Sequence, residues 1–209
     1  MIISYDQIPR GRFVVFEGPN GSGKTTIIEQ LKRSSSFKED KFFFTKEPGG
    51  SKIFKSILRD FILDKSSSVD NLTELFLILA DRREHVLELK ASSKNIICDR
   101  YIYSTIAFQG AGRRLGSDWI KNLCRRVCED FLPDLVILID CEPSIGLRRK
   151  QNKDRLELED LAFHQRVRQE YLNLAAQEPI PFLIINTDEG LWEEYQKVVE
   201  KAVCKVFNV

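Results

Sequence analysis

The chain has 209 residues and a formal net charge of +1, with 43% hydrophobic and 30% charged residues. These values are typical of a single globular domain over residues 1–209, and the balanced charge gives no reason to expect nucleic-acid or membrane binding. The longest apolar stretch, 75–80, is far shorter than the ~20 residues of a membrane span. The first twelve residues lack the apolar core of a signal peptide.

Five short apolar runs predict buried strands, at 13–16, 42–44, 96–98, 135–139 and 182–185. Longer stretches with helical spacing separate them: one begins at Lys24, and the others cover 51–63, 71–90, 117–130, 156–177 and 190–206. Strands that alternate with helices predict an α/β fold, a five-stranded parallel sheet with helices on both faces. The polar segments 34–40 and 64–70 are predicted to be surface loops.

The cysteines are odd in number and form no C-x-x-C pair. This pattern favours small buried thiols over a metal or redox site and fits a protein of the reducing cytoplasm. The five residues are Cys98, Cys124, Cys128, Cys141 and Cys204.

Residues 18–25, GPNGSGKT, fit the P-loop pattern G-x-x-x-x-G-K-[ST] and lie between a predicted strand and a predicted helix. Backbone N–H groups and the positive end of the helix hold phosphate oxygens. Lys24 adds charge at the β- and γ-phosphates, and the Thr25 hydroxyl is a ligand for Mg²⁺. The predicted nucleotide-binding residues are Gly18, Pro19, Asn20, Gly21, Ser22, Gly23, Lys24, Thr25 and Thr26.

The P-loop does not define the reaction, because GTPases, motor ATPases and small-molecule kinases share it. An acceptor that carries a phosphate needs cations facing the P-loop. Arg100 follows the third predicted strand, at the edge where parallel sheets bind ligands. Arg82 shares a helix face with Ile78 and Glu74. For both arginines a local ion pair with neighbouring carboxylates is the alternative interpretation.

Several further segments, in order and spacing, resemble thymidylate kinase in the branch typical of bacteria. They are 44–50 (FTKEPGG), 99–101 (DRY), 104–105 (ST), 108–113 (FQGAGR), 133–135 (PDL), 154–157 (DRLE) and 171–175 (YLNLA). The resemblance covers about residues 12–207. It implies a three-layer P-loop NTPase fold with a short, mobile basic lid at about 148–156.

The resemblance implies a cytoplasmic homodimer that transfers the γ-phosphate of ATP to dTMP with Mg²⁺, giving dTDP for dTTP synthesis. It implies no nucleic-acid or membrane partner. In the acceptor site, Arg82 and Arg100 bind the phosphate, Thr105 contacts the thymine edge and Phe108 crowds the 2′ position of the sugar. Asp99 supports Mg²⁺ through water. The other implied acceptor-site residues are Glu47, Pro48, Ile78 and Gln109.

The chain departs from the family pattern at several positions. Asn20 stands where a carboxylate is usual, Ile78 where an aromatic ring often stacks on the base, and Lys46 where arginine is common. The lid is a few residues shorter than usual. These departures concern the identity of the base and leave phosphoryl transfer intact.

The segment 148–155, RRKQNKDR, is the one dense basic run. A solvated helix end is the alternative to a lid. The resemblance implies that Gly21 replaces an arginine of the other branch, so catalytic charge must come from the lid. Arg149 is the first candidate, followed by Lys153 and Arg155, to act with Lys24 and Arg100.

Two other functions remain open at the level of sequence. A deoxynucleoside kinase would use Glu47 as the base that takes a proton from a sugar hydroxyl. A nucleotide-dependent regulatory ATPase would have no acceptor at all. The acceptor-site arginines and the basic lid favour the monophosphate kinase.

Overall fold

A parallel sheet organises the part of the chain that the structure describes, residues 11–209 of a computed structural model. Its five strands lie in the order β2-β3-β1-β4-β5, and all neighbours are parallel. The predicted α/β fold with a five-stranded parallel sheet is therefore confirmed. The strands are β1 (Phe13–Glu17), β2 (Phe42–Lys46), β3 (Asn95–Asp99), β4 (Leu135–Asp140) and β5 (Phe182–Asn186).

Helices cover both faces of the sheet. The helices are α1 (Lys24–Arg33), α2 (Lys55–Leu63), α3 (Asn71–Lys90), α4 (Ile102–Thr105), α5 (Ser117–Cys128), α6 (Pro143–Arg148), α7 (Leu161–Gln177) and α8 (Trp192–Phe207), with a π-helical segment at Ile106–Gly112. Apolar residues of α3, α5 and α7 form one core with the sheet, and those of α1 and α8 form the other. The helices thus form the outer two of three layers.

Burial along the strands follows their position in the sheet. Every residue of β1 and β4 is buried, whereas β2 and β5 are only partly so, and Ile184 of β5 is exposed. The prediction of two buried faces is therefore correct for the inner strands and wrong for the edges. The apolar runs look alike in sequence, and only the strand order decides which ones lie at an edge.

The strand order brings together the segments that carry polar motifs. In the register of β1 and β3, Phe16 pairs with Asp99, so the P-loop after β1 lies beside the segment that follows β3. Both segments emerge at the carboxyl edge, where open parallel sheets bind ligands. The topology thus creates one site from residues about eighty positions apart in sequence.

Three short elements were not predicted: α4, α6 and the π-helical segment. In the π-helical segment the Arg113 N–H reaches the Phe108 carbonyl five residues earlier, at 2.8 Å. Helix α7 begins five residues later than predicted, because Asp154 and Glu157 form a separate hydrogen-bonded turn. Asp160 then accepts from the Phe163 N–H and caps α7.

All five cysteines are free thiols; four are buried and Cys204 is partly exposed. The prediction of buried thiols therefore fits four of the five. Among the helices within residues 11–209, none is long and apolar enough to cross a membrane. The interpretation of the N-terminus as lacking a signal peptide falls mainly on residues 1–10, outside the described residues.

Asp81 of α3 holds the loop after β2 in place. Its buried carboxylate accepts from the N–H groups of Gly49 at 2.6 Å, Gly50 at 3.3 Å and Ser51 at 3.2 Å. It also accepts from the Ser51 hydroxyl at 2.6 Å. Four donors on one carboxylate fix the loop that carries two predicted acceptor-site residues, Glu47 and Pro48.

We expect Asp81→Asn to lower the free energy of unfolding by about 2 kcal/mol, because hydrogen bonds to a charged acceptor are replaced by weaker ones and an amide N–H₂ meets N–H donors. Urea unfolding followed by circular dichroism measures the change. Asp60→Asn, at an exposed position of α2, is the matched control and should change stability by less than about 0.5 kcal/mol. Equal effects of the two substitutions would contradict this role of Asp81.

Candidate active site

A cavity of about 540 Å³ opens at the carboxyl edge of the sheet, among the P-loop, α2, α3 and the segment after α6. Most of the residues predicted from sequence line it. Five do not: Gly18, Pro19, Ser22, Lys153 and Arg155. Those that do are Asn20, Gly21, Gly23, Lys24, Thr25, Thr26, Glu47, Pro48, Ile78, Arg82, Asp99, Arg100, Thr105, Phe108, Gln109 and Arg149.

The P-loop wraps around its own lysine. The Lys24 ammonium donates to the carbonyls of Gly18 at 2.9 Å and Pro19 at 2.7 Å, and to the Ser22 hydroxyl at 3.2 Å. These three P-loop residues lie beneath the cavity and hold the cation that reaches into it. Gly21 has φ +73°, and a Cβ there would lie 2.0 Å from the carbonyl oxygen of Gly146, so only glycine fits against α6.

The charge of Lys24 is poorly compensated in this arrangement. Burial and the nearby Arg100 lower the pKa of Lys24 to about 7. Two cations that line one cavity favour an anion there. Phosphate groups on the P-loop supply that anion, with N–H donors of the loop and of α1 around them.

Thr25 and Asp99 place two oxygen ligands beside the P-loop. The Thr25 hydroxyl donates to Asp99 Oδ2 at 3.2 Å. Asp99 Oδ1 is buried and has no hydrogen-bond partner among residues 11–209. An unpartnered carboxylate oxygen next to a phosphate cradle fits Mg²⁺, which takes one or two protein oxygens and completes its shell with water and phosphate. Within the same residues no group of three or more metal-ligating side chains occurs.

Arg100 lies directly beside the P-loop, held by several acceptors. Its Nη1 donates to the Gly18 carbonyl at 3.0 Å, the Ser104 hydroxyl at 3.1 Å and the Tyr171 hydroxyl at 3.2 Å. Its Nη2 donates to the Asn20 amide oxygen at 2.8 Å. Asn20 thus binds the arginine without the charge that a carboxylate would bring. The remaining N–H groups of Arg100 can bind an anion in the cavity.

Arg82 is more deeply engaged than the sequence predicted. Its side chain is 1% exposed; Nε donates to Glu47 at 2.7 Å and Nη2 to the Tyr101 carbonyl at 3.2 Å. The other Glu47 oxygen lies 2.7 Å from His85 Nδ1, and His85 Nε2 lies 2.8 Å from the Thr45 hydroxyl. Arg82 lines the cavity, but its guanidinium is already paired with a buried carboxylate.

Glu47 is a poor candidate for a general base. Burial acts to raise the pKa of Glu47, but Arg82 and His85 outweigh it and hold that pKa below its usual value. Both carboxylate oxygens are occupied, and the side chain is 2% exposed. A general base needs a free oxygen within hydrogen-bond distance of the hydroxyl proton and a pKa near the working pH.

Arg59 of α2 lines the cavity and was missed by the sequence analysis. Its Nη1 donates to the Pro48 carbonyl at 3.1 Å. Arg59 and Arg100 line the same cavity, and burial and the charge of Arg100 lower the pKa of Arg59. In sequence Arg59 follows the apolar Leu58, and nothing there indicates which side of α2 would meet the P-loop.

Part of the cavity wall is apolar. Phe108 is buried, and its ring centre lies 5.0 Å from the Arg100 guanidinium and 6.4 Å from the Tyr171 ring. Phe108 is therefore both a packed aromatic residue and a wall of the cavity. Thr105 and Ile78, also buried, line the same cavity.

Gln109 connects the cavity to a group of charged residues. Its amide donates to the buried Glu74 carboxylate at 2.7 Å. Glu74 also accepts from Arg155 of the basic run, and Arg113 lies 3.4 Å from it. Arg155 Nε further donates to the Ile62 carbonyl at 2.8 Å. The Arg155 side chain thus ties the basic run to α2 and α3 and does not line the cavity.

The other cations of the basic run have different surroundings. Arg149 lines the cavity, with Nη2 2.6 Å from the Thr187 carbonyl and the guanidinium 5.2 Å from the centre of the Trp192 ring. Lys150 lines it too, pairs with Glu157 at 3.3 Å, and its charge contributes to the lowered pKa of Lys24. Lys150 was not among the predicted residues.

Comparison with known proteins identifies the family. The family model described as thymidylate kinase matches residues 16–199. A thymidylate kinase from Pediococcus pentosaceus is 39% identical over 201 residues, which cover 91% of this chain and 96% of the relative. One from Magnetococcus marinus is 39% identical over 188 residues, 86% of this chain and 90% of the relative.

A solved structure agrees with these relatives. The crystal structure of thymidylate kinase from Ehrlichia chaffeensis aligns with a TM-score of 0.73 and 29% identity, covering 93% of this chain and 99% of that one. The family match thus extends over the sheet, the P-loop and the cavity described above. The chain belongs to the thymidylate kinase family.

Proposed function

We propose that this protein transfers the γ-phosphate of ATP to dTMP, giving ADP and dTDP for dTTP synthesis. One observation carries the proposal: Lys24, Arg100 and Arg59 come from three separate elements and line one cavity, whose wall also includes apolar residues. A P-loop protein that only hydrolyses a nucleotide does not need two arginines, Arg100 and Arg59, in the cavity beside the P-loop. Membership of the thymidylate kinase family supports dTMP as the acceptor.

The acceptor phosphate binds between Arg100 and Arg59. Both guanidinium groups face the cavity, and their mutual repulsion is relieved when a dianion lies between them. Arg82 supports the nucleoside end instead, where it orders Glu47 and the segment at Tyr101. We therefore transfer the predicted phosphate-binding role of Arg82 to Arg59. Thr105, Ile78, Phe108 and Gln109 surround the base and sugar.

Thr25 and Asp99 would hold Mg²⁺ beside the P-loop. The ion would supply positive charge that offsets the negative charge of the phosphates. The protein's own part is positional: the P-loop N–H groups and Lys24 orient the donor, and Arg100 and Arg59 orient the acceptor in line with it. The acceptor phosphate is already an oxyanion nucleophile, so no general base is needed.

The segment after α6 acts as the lid. Arg149 and Lys150 both line the cavity, and Lys150 also acts electrostatically on Lys24, so we place Lys150 at the transferring phosphate. Arg149 lies against Trp192, whose ring meets the P-loop at Gly23, and we place this arginine beside the donor nucleoside. Arg155 anchors the lid to Glu74. Lys153 does not line the cavity and has no assigned role.

Two further properties follow the family resemblance. A homodimer is supported by exposed apolar side chains on and beside α2 and α3, at Ile53, Ile57, Phe61, Leu72 and Phe76. A cytoplasmic location is supported by the five free thiols, which stay reduced there.

A panel of acceptors tests the proposed function. We expect dTMP to be phosphorylated best, dUMP less well and the ribonucleotide TMP poorly, because a 2′-hydroxyl would meet Phe108. The measurement is ADP release at subsaturating acceptor. Faster phosphorylation of thymidine would establish the deoxynucleoside kinase, faster AMP or GMP would refute the choice of base, and hydrolysis unaffected by every acceptor would favour the regulatory ATPase.

The lowered pKa of Lys24 predicts proton uptake on ATP binding. At about pH 8 much of the ligand-free protein holds a neutral amine, since this pKa is about 7. Bound phosphate favours the ammonium form, so a proton is taken up and ATP affinity falls as the pH rises above 7. Isothermal titration calorimetry in two buffers of different ionisation enthalpy measures the uptake.

Lys24→Arg is the control for this titration, because its guanidinium is charged throughout the range and should bind ATP without proton uptake. Identical binding enthalpies in the two buffers for the parent protein would show that Lys24 is already charged before ATP binds.

For the lid, we expect Lys150→Ala to lower kcat about tenfold or more while the KM for dTMP changes only a few-fold. A cation that meets charge developing during transfer acts on the chemical step more than on binding. Lys153→Ala is the matched control, a lysine of the same segment that does not line the cavity. Steady-state kinetics decide, and an equal loss of kcat in both variants would mean that the lid acts through its overall charge.

A further inference from the structure

Glu17 is a buried carboxylate at the end of β1 that the mechanism above does not use. Its side chain is 0% exposed, and it follows the four apolar residues of β1, directly before the P-loop. Glu17 does not line the cavity, so it touches neither substrate. A charge in this position is costly unless its oxygens are hydrogen-bonded.

Every acceptor position of this carboxylate is used. Oε1 accepts from the backbone N–H of Tyr101 at 2.9 Å and of Ser104 at 3.1 Å. Oε2 accepts from the Ser104 hydroxyl at 2.5 Å and the Tyr171 hydroxyl at 3.1 Å. Burial raises the pKa of Glu17, while the hydrogen bonds of Ser104 and the charge of Arg100 oppose this rise. The Glu17 carboxylate thus accepts four hydrogen bonds, three from the segment after β3 and one from α7.

The residues that bind Glu17 are also those that hold Arg100. The hydroxyl groups of Ser104 and Tyr171 each donate to Glu17 Oε2, and their oxygens each accept from Arg100 Nη1. Arg100 itself has φ +72°, a left-handed conformation that costs free energy in a non-glycine residue. The Glu17 bonds to the next residue, Tyr101, and to Ser104 fix the chain just after this turn.

We infer that Glu17 is a positioning residue for the acceptor phosphate: it fixes the turn after β3 and, through Ser104 and Tyr171, aims the guanidinium of Arg100 into the cavity. The inference rests on the proposed role of Arg100 toward a monophosphate. The negative charge of Glu17 also favours the charged forms of Arg100 and Lys24. Removing the charge should therefore impair recognition of the phosphate and leave recognition of the nucleoside intact.

The test compares the affinities for dTMP and for thymidine, which lacks only the phosphate, in Tyr171→Phe and Glu17→Gln. We expect dTMP affinity to fall about tenfold in Tyr171→Phe and further in Glu17→Gln, with thymidine affinity unchanged within about twofold. Tyr103→Phe is the matched control: its buried hydroxyl has no hydrogen-bond partner among residues 11–209, so both affinities should stay at parental values.

Equal loss of affinity for dTMP and thymidine, or no loss in either variant, would overturn the inference. Tyr171→Phe keeps the test decisive if Glu17→Gln does not fold. If the acceptor panel selects another base, that monophosphate and its nucleoside replace the thymidine pair. If the parent protein binds no monophosphate, the proposed function fails, and a crystal structure of Tyr171→Phe still decides: an unmoved Arg100 guanidinium refutes the role of Glu17.

Discussion

Repulsion between buried cations is the constraint on which the rest of this site depends. Phosphoryl transfer between two nucleotides needs positive charge from several directions, and here Lys24, Arg100 and Arg59 face one cavity. Burial and the charge of Arg100 lower the pKa of Lys24, and the same two causes lower the pKa of Arg59. The fold offsets this with two carboxylates: Asp99, which lines the cavity beside the P-loop, and Glu17, which lies outside the cavity and binds the residues that hold Arg100. Bound phosphates complete the neutralisation.

The same logic explains why so many polar side chains are buried around the site. Asp81 accepts hydrogen bonds from the loop after β2, and Glu47 binds Arg82 and His85. Glu74 binds Gln109, Arg113 and Arg155. Each carboxylate accepts several hydrogen bonds or ion pairs. These contacts offset the free-energy cost of burying its charge and hold the side chain in one position. Preorganised groups of this kind lose little free energy to reorganisation when the substrates arrive.

The arginines have different roles in the structure, and the sequence motifs do not distinguish these roles. Arg82 and Arg100 look equivalent as acceptor-site cations, yet one is paired with a buried carboxylate and the other keeps free donors. In the basic run, Arg155 binds Glu74, and Lys150 lines the cavity. Sequence spacing could not separate these roles, because each depends on a partner that is distant in the chain.

The sequence by itself determined the fold class, the P-loop and the family, because apolar periodicity and the phosphate motif are local properties of the chain. It also indicated most cavity-lining residues, since they follow strand ends that a parallel sheet brings together. Only the tertiary structure decided which strands are edges, that Arg59 of α2 faces Arg100, and that Glu17 lies beneath it. The direction in which a helix packs and the partner that a charge meets are set by contacts between distant segments, which no local pattern records.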